Sequence, residues 1–541
     1  MPDTTMAQPA LAPRQGPNQD AKPHGSVGIG FAVMLVGGLA YMAYSVLRDV
    51  SGAGGPVLAT GAIMLLGLAL LIALGFEFVN GFHDTANAVA TVIYTHSLPA
   101  QVAVIWSGFF NFLGVLTSSG AVAFTVVSLL PVELILQVGS GAGYAMIFAL
   151  LIAAIIWNLG TWALGLPASS SHTLIGSIIG VGLANELLSR GSGVSGVSGV
   201  DWTQVWSVFK ALLVSPVVGF VCAAGLLLAM KAVVKSRQLY TAPEGNAPPP
   251  LWSRTLLIGT CTGVSFFHGS NDGQKGMGLI MLIRIGAAPT AYALNRALPE
   301  SSTPAFLEQT TRAQAVFAAR AGGETVPPDR ARTVVTEAIR DKSFDKPIVF
   351  AALNSLAGDI ARQVQQHGSI ARVPAEAVQN VRNDMYLASE AERLMGKAGM
   401  SFGGEQDAAL KAWKGGLDGG TKFIPLWVKV SVAIALGLGT MIGWKRIVVT
   451  VGERIGKTHL TYGQGAAAEI VAMATIGAAD MYGLPVSTTH VLSSGVAGTM
   501  MANGSGLQWS TVRSIAMAWV LTLPAAALLA GVLYALFRMV T

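Results

Sequence analysis

Long stretches without a charged side chain dominate this sequence. Val27 to Leu47 is a run of 21 uncharged residues that ends at Arg48. At about 1.5 Å of rise per residue, a helix of that length crosses the roughly 30 Å hydrocarbon core of a bilayer. Charged residues are only 11% of the chain and apolar residues 52%, too few charges to cover a soluble surface. The chain is therefore predicted to be an all-α polytopic membrane protein.

Further uncharged runs recur along the chain, and several are long enough for two crossings. Together they predict ten to twelve crossings. The runs are Val50–Phe76, Leu98–Val132, Leu134–Asn185, Ala211–Met230, Thr255–Asn271, Val430–Trp444, Met481–Val512 and Ser514–Phe537.

Polarity divides the chain into segments. Residues 1–26 are polar and rich in Pro, Gln and Gly, and predict a disordered tail, with an additional transmembrane helix at 27–50. Residues 296–423 hold 16 Lys/Arg and 15 Asp/Glu, half of all charges in the chain. We call this segment the insert and expect a soluble, largely helical unit, a solvated appendage rather than a regulatory domain. Cys222 and Cys261 lie in apolar runs, which argues against a disulfide framework.

Two short loops are basic, at 231–254 and at Lys445–Lys457. The positive-inside rule predicts that both are cytoplasmic. One crossing separates the second loop from the insert, so parity places the insert outside. The net charge of +6 is localised in this way, and nucleic acid is not an expected partner.

Two pairs of motifs occur twice in the chain, in the same order. NGFHDTANAVA (80–90) aligns with HGSNDGQKGMG (268–278), and GLPASSSHTL (165–174) aligns with GLPVSTTHVL (483–492). Duplicated halves of membrane helices are typical of secondary transporters, whose sites lie near the bilayer midplane on broken or re-entrant helices. We therefore expect helix breaks at all four motifs and an inverted repeat, with residues 51–230 as the first copy. Residues 255–295 and 424–541 form the second.

The first motif pair places carboxylates inside apolar surroundings. Asp84 aligns with Asp272, and Asn87 aligns with Lys275. An intramembrane carboxylate is costly and is expected to be functional, here by binding a cation or a proton. The alternative is a carboxylate neutralised by helix packing. Asn87 and Lys275 follow their aspartates by three residues, on the same helical face, and we expect both to bind the substrate anion.

The second pair carries two runs of hydroxyl side chains, each after a Gly-Leu-Pro. A helix N-terminus offers free N–H groups and the positive end of a dipole, which suits an oxyanion. The alternative is ordinary polar contact between membrane helices. The six hydroxyl residues are Ser169, Ser170, Ser171, Ser487, Thr488 and Thr489. Secondary candidates for the site are His83, His172, His490 and Asn271, with His268 as a weaker one.

At these motifs the sequence resembles the Pit family of inorganic phosphate transporters, in its bacterial low-affinity branch. The resemblance covers about 57–300 and 420–541. It implies an inverted-repeat symporter in the inner (plasma) membrane that needs no cofactor. It assigns Asp84, Asn87 and Asp272 to the substrate and cation site and the hydroxyl runs to a phosphate cage. The partners implied are phosphate and the lipid bilayer, and we also expect a homodimer.

Two departures from sodium-coupled relatives bear on the coupling ion. Those relatives resemble this chain but carry Asn where His83 and Lys275 stand here. Both substitutions resemble the bacterial branch, which implies coupling to H⁺ rather than Na⁺ and transport of neutral divalent metal–phosphate complexes, for example with Mg²⁺. In such a complex Asp84 and Asp272 would contact the metal.

Charge arithmetic leads in the same direction. Phosphate near neutral pH carries about two negative charges and the two aspartates add two more, which a low-dielectric site cannot hold without neutralisation. Lys275 supplies one positive charge, so protons or metal ions must supply the remainder.

Two other functions remain open from the residues alone. Another tetrahedral oxyanion such as sulfate would fit the hydroxyl runs, although aspartate acceptors favour an anion that can donate a hydrogen bond. A membrane-embedded metal-dependent hydrolase is the distant alternative. It would need a clustered ligand set such as His-Glu-x-x-His, and the sequence contains none.

Overall fold

The computed structural model describes residues 25–53, 59–84, 86–130, 132–136, 139–191, 200, 202–243 and 247–540. These residues are mostly helical and contain no strand, only one isolated antiparallel bridge between Gly456 and Leu507. The predicted all-α class is confirmed.

The helices up to the basic loop are α1 (Gly25–Gly52), α2 (Thr60–Asp84), α3 (Ala86–Tyr94), α4 (Ala100–Thr117), α5 (Ala121–Val127), α6 (Val132–Leu136), α7 (Gly141–Ala163), α8 (Ser170–Gly191) and α9 (Trp202–Val233). After the loop come α10 (Leu251–Ala287) and α11 (Pro289–Tyr292). The insert contains α12 (Thr303–Arg320), α13 (Pro328–Asp341), α14 (Pro347–His367), α15 (Ala375–Lys397) and α16 (Gly404–Thr421). The chain continues with α17 (Leu426–Thr440), α18 (Lys445–Val449), α19 (Tyr462–Met481), α20 (Thr488–Asn503) and α21 (Trp509–Arg538).

Six stretches of the described chain are long and apolar enough to cross a membrane: α1, α2 continued by α3, α4, α7, α9 and α21. A seventh is counted if α16 and α17, bent by 71°, are taken as one span. This is fewer than the ten to twelve crossings predicted from the uncharged runs. The other helices of those runs, α8, α10 and α20, are shorter or more polar because they carry the buried polar residues of the site.

Three predicted boundaries shift. Of the tail at 1–26, Gly25 and Ser26 already belong to α1, and the rest lies outside the described residues. The basic loop 231–254 is shorter than predicted, because α9 continues to Val233 and α10 begins at Leu251. Helix α10 also passes through the motif 268–278 without interruption, so a helix break at that motif is wrong.

The helices of the two motif-bearing halves contact each other reciprocally. Helix α4 packs on α10 and α17 packs on α2, while α8 packs on α21 and α20 packs on α9. Helices α7 and α8 form a hairpin, as do α19 and α20. Each contact of one half therefore recurs with the roles exchanged, and the two halves interlock instead of lying side by side. The inversion of one half relative to the other stays a prediction.

The insert is helical, as predicted, and it packs against the membrane helices through α15. The Arg382 Nη1 donates to the carbonyl of Ile135 on α6 at 3.3 Å, and the Arg393 Nη1 donates to Gln204 Oε1 on α9 at 3.4 Å. Within the insert, Arg332 forms a two-point ion pair with Asp384 at 2.7 and 2.9 Å. The insert is therefore a docked domain rather than a freely solvated appendage.

Candidate substrate site

The two Gly-Leu-Pro motifs form matching turns. Gly165 (φ +67°) and Gly483 (φ +64°) follow α7 and α19 in the left-handed conformation that glycine adopts without a steric cost. After each turn a serine begins the next helix: Ser169 Oγ accepts from the His172 N–H and Ser487 Oγ from the His490 N–H, both at 3.2 Å. The sequence repeats this local structure because glycine ends a helix and serine caps one.

Asp84, at the end of α2, connects the two hairpins. Its Oδ2 accepts from the Ser170 hydroxyl at 2.5 Å and its Oδ1 from the Thr489 hydroxyl at 2.7 Å. The carboxylate is only 2% exposed. One hydroxyl donor thus comes from each half of the chain. Asp84 therefore contacts both hydroxyl runs.

His83 contacts the Asp84 carboxylate. Its Nδ1 lies 2.9 Å from Asp84 Oδ1, and its Nε2 lies 3.0 Å from Thr161 Oγ1 on α7. The imidazole is completely buried. His83 therefore orients Asp84.

Asp272 and Lys275 form a buried ion pair on α10. Lys275 Nζ lies 2.7 Å from Asp272 Oδ1 and donates to Ser171 Oγ at 2.5 Å. Lys275 is 1% exposed, so the ammonium does not extend to an interface. The Ser170 hydroxyl, which donates to Asp84, also lies 3.4 Å from Asp272 Oδ2. Ser170 therefore stands between the two aspartates.

His268 completes this cluster, although the motif alignment ranked it low. Its Nε2 lies 3.6 Å from Asp272 Oδ2, and its Nδ1 lies 2.8 Å from Asn111 Oδ1 on α4. One ligand atom each from Asp84, His268 and Asp272 lie within 4.8 Å of one another. Two carboxylates and an imidazole at this spacing could contact a divalent cation. The sequence did contain a signal for His268, because it lies four residues before Asp272 on one helix.

The other hydroxyl and histidine candidates have different surroundings. The Ser171 hydroxyl donates to the Val486 carbonyl at 2.9 Å, which ties the first hairpin to the second. Thr488 Oγ1 is buried and has no hydrogen-bond partner among the described residues. The rings of His172 and His490 lie 4.5 Å apart, and His490 also stacks on Trp519 at 4.1 Å. These two imidazoles pack together beside the hairpins.

Asn271 holds the second hairpin, and Asn87 cannot be placed in the same way. The Asn271 Nδ2 donates to the Leu484 carbonyl at 3.1 Å, and its Oδ1 accepts from the Val486 N–H at 3.4 Å. Asn271 thus positions the turn that carries Ser487, Thr488 and Thr489. Asn87 lies on α3, but its side chain is outside the described residues.

Sequence reasoning missed a third buried carboxylate beside this cluster. Glu77 Oε1 accepts from the Gly276 N–H at 2.7 Å, directly after Lys275 in the chain. A Cβ at Gly276 would lie 2.2 Å from that oxygen, so the contact requires glycine. A signal existed, since Glu77 interrupts two adjoining apolar stretches, but no aligned partner in the second half drew attention to it.

The similarity of this chain to known proteins includes the part that carries most of the site residues described above. The model of the "Phosphate transporter family" matches residues 80–530. The chain belongs to the phosphate transporter family. The low-affinity inorganic phosphate transporter PitA of Escherichia coli (strain K12) is 43% identical over 503 residues, covering 88% of this chain and 96% of that protein. PitB of the same strain is 41% identical over 495 residues, with the same coverage.

Two further matches are more distant in sequence. A probable low-affinity inorganic phosphate transporter of Bacillus subtilis (strain 168) is 27% identical over 479 residues, covering 88% of this chain and 98% of that protein. The solved structure titled "The sodium-dependent phosphate transporter" covers 88% of this chain and all of its own, at 17% identity and a TM-score of 0.47. The relatives are named as transporters, not enzymes, and the chain is a multi-pass membrane protein of a transporter family.

Proposed function

We propose that this chain is a secondary active symporter that moves inorganic phosphate across the inner membrane, driven by protons and with divalent metal–phosphate as a further form of the substrate. The names of its relatives support phosphate as the substrate. The mechanism rests on one observation: the Asp84 carboxylate accepts a hydrogen bond from one hydroxyl of each hairpin.

Shared hydrogen-bond donors provide a way to couple cation and anion. While Asp84 is ionised, the hydroxyls of Ser170 and Thr489 donate to it. A proton or a metal ion on Asp84 would neutralise the charge that holds them, and both could then turn toward a phosphate oxygen. Thr488, with its partnerless hydroxyl, and the helix N-termini of α8 and α20 would add further donors. Cation binding would thus prepare the anion site.

The charge balance of the site supports this coupling. Lys275 pairs with Asp272, so the charge of Asp84 and those of phosphate remain uncompensated. Burying them together without a cation is prohibitive at low dielectric. A proton on Asp84 or on His83 reduces the imbalance. A divalent ion among Asp84, His268 and Asp272 reduces it further, and Mg²⁺ prefers such carboxylate oxygens.

The site also has a reason to prefer phosphate over sulfate. Its acceptors are carboxylates, which favour an anion carrying a proton, and sulfate is fully ionised at neutral pH. Sulfate therefore remains the second candidate, to be separated from phosphate by competition.

The domain organisation belongs to the same proposal. Residues 51–230 would be one repeat, and 255–295 with 424–541 the other, inverted in the membrane. The reciprocal packing of α4 on α10 and α17 on α2 supports two equivalent halves. A homodimer in the inner membrane is a further prediction, which light scattering of the detergent-purified protein tests.

The decisive experiment is phosphate uptake into proteoliposomes. Gradients of proton, sodium and magnesium are imposed one at a time, with inorganic phosphate inside and outside controlled. The proposal expects uptake driven by an inward proton gradient, raised by magnesium and nearly indifferent to sodium. If the protein takes up no phosphate under any of these gradients, the proposed function is wrong, whether or not the protein binds phosphate.

A further inference from the structure

A cavity lies where the insert meets the membrane helices. Its volume is about 320 Å³. The insert contributes α15, through Arg382 and Arg393, and the residue after α16, Lys422. The opposite wall comes from α5, α10 and the second hairpin, where Leu484 lines it. The cavity is therefore formed by two parts of the chain that the sequence suggested were independent.

Its charged lining is predominantly basic. Arg382, Arg393, Lys397 and Lys422 line the cavity, against Glu390 as the only acidic residue among its described lining. Glu390 pairs with Arg393, and Lys422 pairs with Asp418 at 2.8 Å. Two of the cations are thus partly compensated and the lining retains an excess of positive charge. A concave basic surface concentrates anions.

Arg382 is the unusual member of this lining. It is only 4% exposed, its guanidinium lies over the Tyr386 ring at 5.0 Å, and among the described residues no carboxylate forms an ion pair with it. Its Nη1 donates to Ile135 O and, at 3.1 Å, to Asn383 Oδ1, whereas its Nε has no hydrogen-bond partner in the described part of the chain. Burial lowers the pKa of Arg382 to about 10, so the guanidinium is still charged at neutral pH. A buried cation without a counter-ion is costly, and a bound anion would compensate it.

The second hairpin links the cavity to the substrate site. Leu484 lines the cavity, and its carbonyl accepts a hydrogen bond from Asn271, which precedes Asp272 in α10. The wall of the cavity is therefore the same turn that presents Thr488 and Thr489 to the site. An anion in the cavity would lie beside the second hairpin.

We propose that this cavity is a vestibule that binds inorganic phosphate as a free anion on the side of the membrane that the insert covers. The inference rests on the proposed phosphate transport and makes it more specific. A net positive vestibule attracts phosphate that still carries its charge. Free phosphate captured there would meet its cation in the site around Asp84.

The test uses three variants of the full chain in proteoliposomes made of phosphatidylcholine. Arg382→Gln removes the buried charge, and Arg382→Lys restores it. Arg312→Gln is the matched control, because Arg312 is an exposed insert arginine that pairs with Glu308 away from the cavity. KM and kcat for inorganic phosphate are measured for uptake and for exchange from the inside, since the vestibule serves one face.

The expected result is a rise in KM of about threefold to tenfold for Arg382→Gln on one face, as loss of electrostatic capture implies, with kcat within about twofold of wild type. Arg382→Lys should recover most of the KM, and Arg312→Gln should match wild type. If Arg382→Gln does not fold, Lys397→Gln removes an exposed charge from the same lining and should raise KM in the same direction.

Other outcomes separate this proposal from the function beneath it. Unchanged KM on both faces in Arg382→Gln and Lys397→Gln, with normal wild-type uptake, overturns the vestibule and leaves the transporter intact. A KM difference that appears only after anionic phospholipid is added shows a lipid headgroup in the cavity, which also overturns it. Wild-type protein that moves no phosphate contradicts the proposed function instead.

Discussion

Lys275→Asn is the substitution that tests the electrostatics of the site most directly. Lys275 is 1% exposed, lies 2.7 Å from Asp272 Oδ1 and donates to Ser171. Asn matches Asn87 at the aligned position and keeps a polar side chain while removing the charge. We expect phosphate uptake to collapse, because Asp272 is then left as a second uncompensated carboxylate beside Asp84.

The magnitude follows from the burial of the pair. Removing one partner of a buried ion pair typically costs about 3–5 kcal/mol, which corresponds to roughly two to three and a half orders of magnitude in an equilibrium constant. Asp272 can escape part of this penalty by taking a proton. We therefore expect at least about a hundredfold loss of uptake at pH 7, and partial recovery at lower pH or at high sodium, where a cation can replace the ammonium.

The measurement is phosphate uptake by wild type and Lys275→Asn across a sodium series at fixed pH, at equal membrane abundance. Lys210→Asn is the matched control, because it removes a lysine from α9 that lies over the Trp206 ring, away from the site. The double variant Asp272→Asn/Lys275→Asn removes both charges. Its thermal stability should exceed that of Lys275→Asn alone, although uptake stays low.

Two results would refute the reasoning. Unchanged uptake in Lys275→Asn would show that the ammonium does not compensate the site. Strong sodium dependence in wild type would show that sodium, not Lys275 and protons, supplies the missing positive charge.

Further predictions concern the carboxylates, the anion and the insert. Asp84→Asn and Asp272→Asn should each abolish coupled uptake while the protein stays in the membrane, whereas Asp49→Asn on α1 should not; wild-type rates in either site variant would remove that aspartate from the mechanism. Arsenate should compete strongly with phosphate and sulfate weakly, because only arsenate shares both the tetrahedral shape and the exchangeable proton; equal competition by sulfate favours the sulfate alternative. Replacing most of Pro304–Gly416 by a short Gly/Ser linker should preserve some transport, with a raised KM because α15 carries Arg382; complete loss in a correctly inserted protein would make the insert essential. Burial raises the pKa of Glu392 in the insert to about 7. The folded insert therefore binds this proton more tightly than the unfolded chain does. The stability contributed by protonated Glu392 is complete below pH 4.5 and is lost as the pH rises to 7. The protection of the α15 amides against exchange, relative to their intrinsic exchange rates at each pH, should therefore be higher at pH 5 than at pH 8, with a smaller difference in Glu392→Gln; an equal difference would assign the effect to other groups.

Part of the site could be predicted from the sequence because its signals are local. A carboxylate inside an uncharged run is conspicuous at any position, and its duplication at Asp84 and Asp272 identified both. The Gly-Leu-Pro-x-Ser motifs specify a left-handed glycine and a serine cap within a few residues, and the two hairpins contain both features. Membrane character followed from the number and length of uncharged runs, which depends on no tertiary contact.

Tertiary structure decided which of these residues meet. Ser170 lies between Asp84 and Asp272, and His268 joins them, although Asp84 and Asp272 are separated by 188 positions in the chain. Helix periodicity gives the face on which a residue lies, but not which helix that face contacts. The contact of Glu77 could not be predicted from the sequence, because its partner is a backbone N–H, which every residue except proline has.

The insert shows the same division most clearly. Its charge content alone identified a helical segment distinct from the membrane helices, since so many charges cannot lie in a hydrocarbon core. That charge content is nearly balanced and predicted solvation, whereas docking depends on where single side chains lie. Only the packing of α15 against α6 and α9 buries Arg382 without a counter-ion and places it at the cavity that adjoins the second hairpin. Composition is a sum over residues, and the electrostatic character of a cavity is decided by the few residues that fold around it.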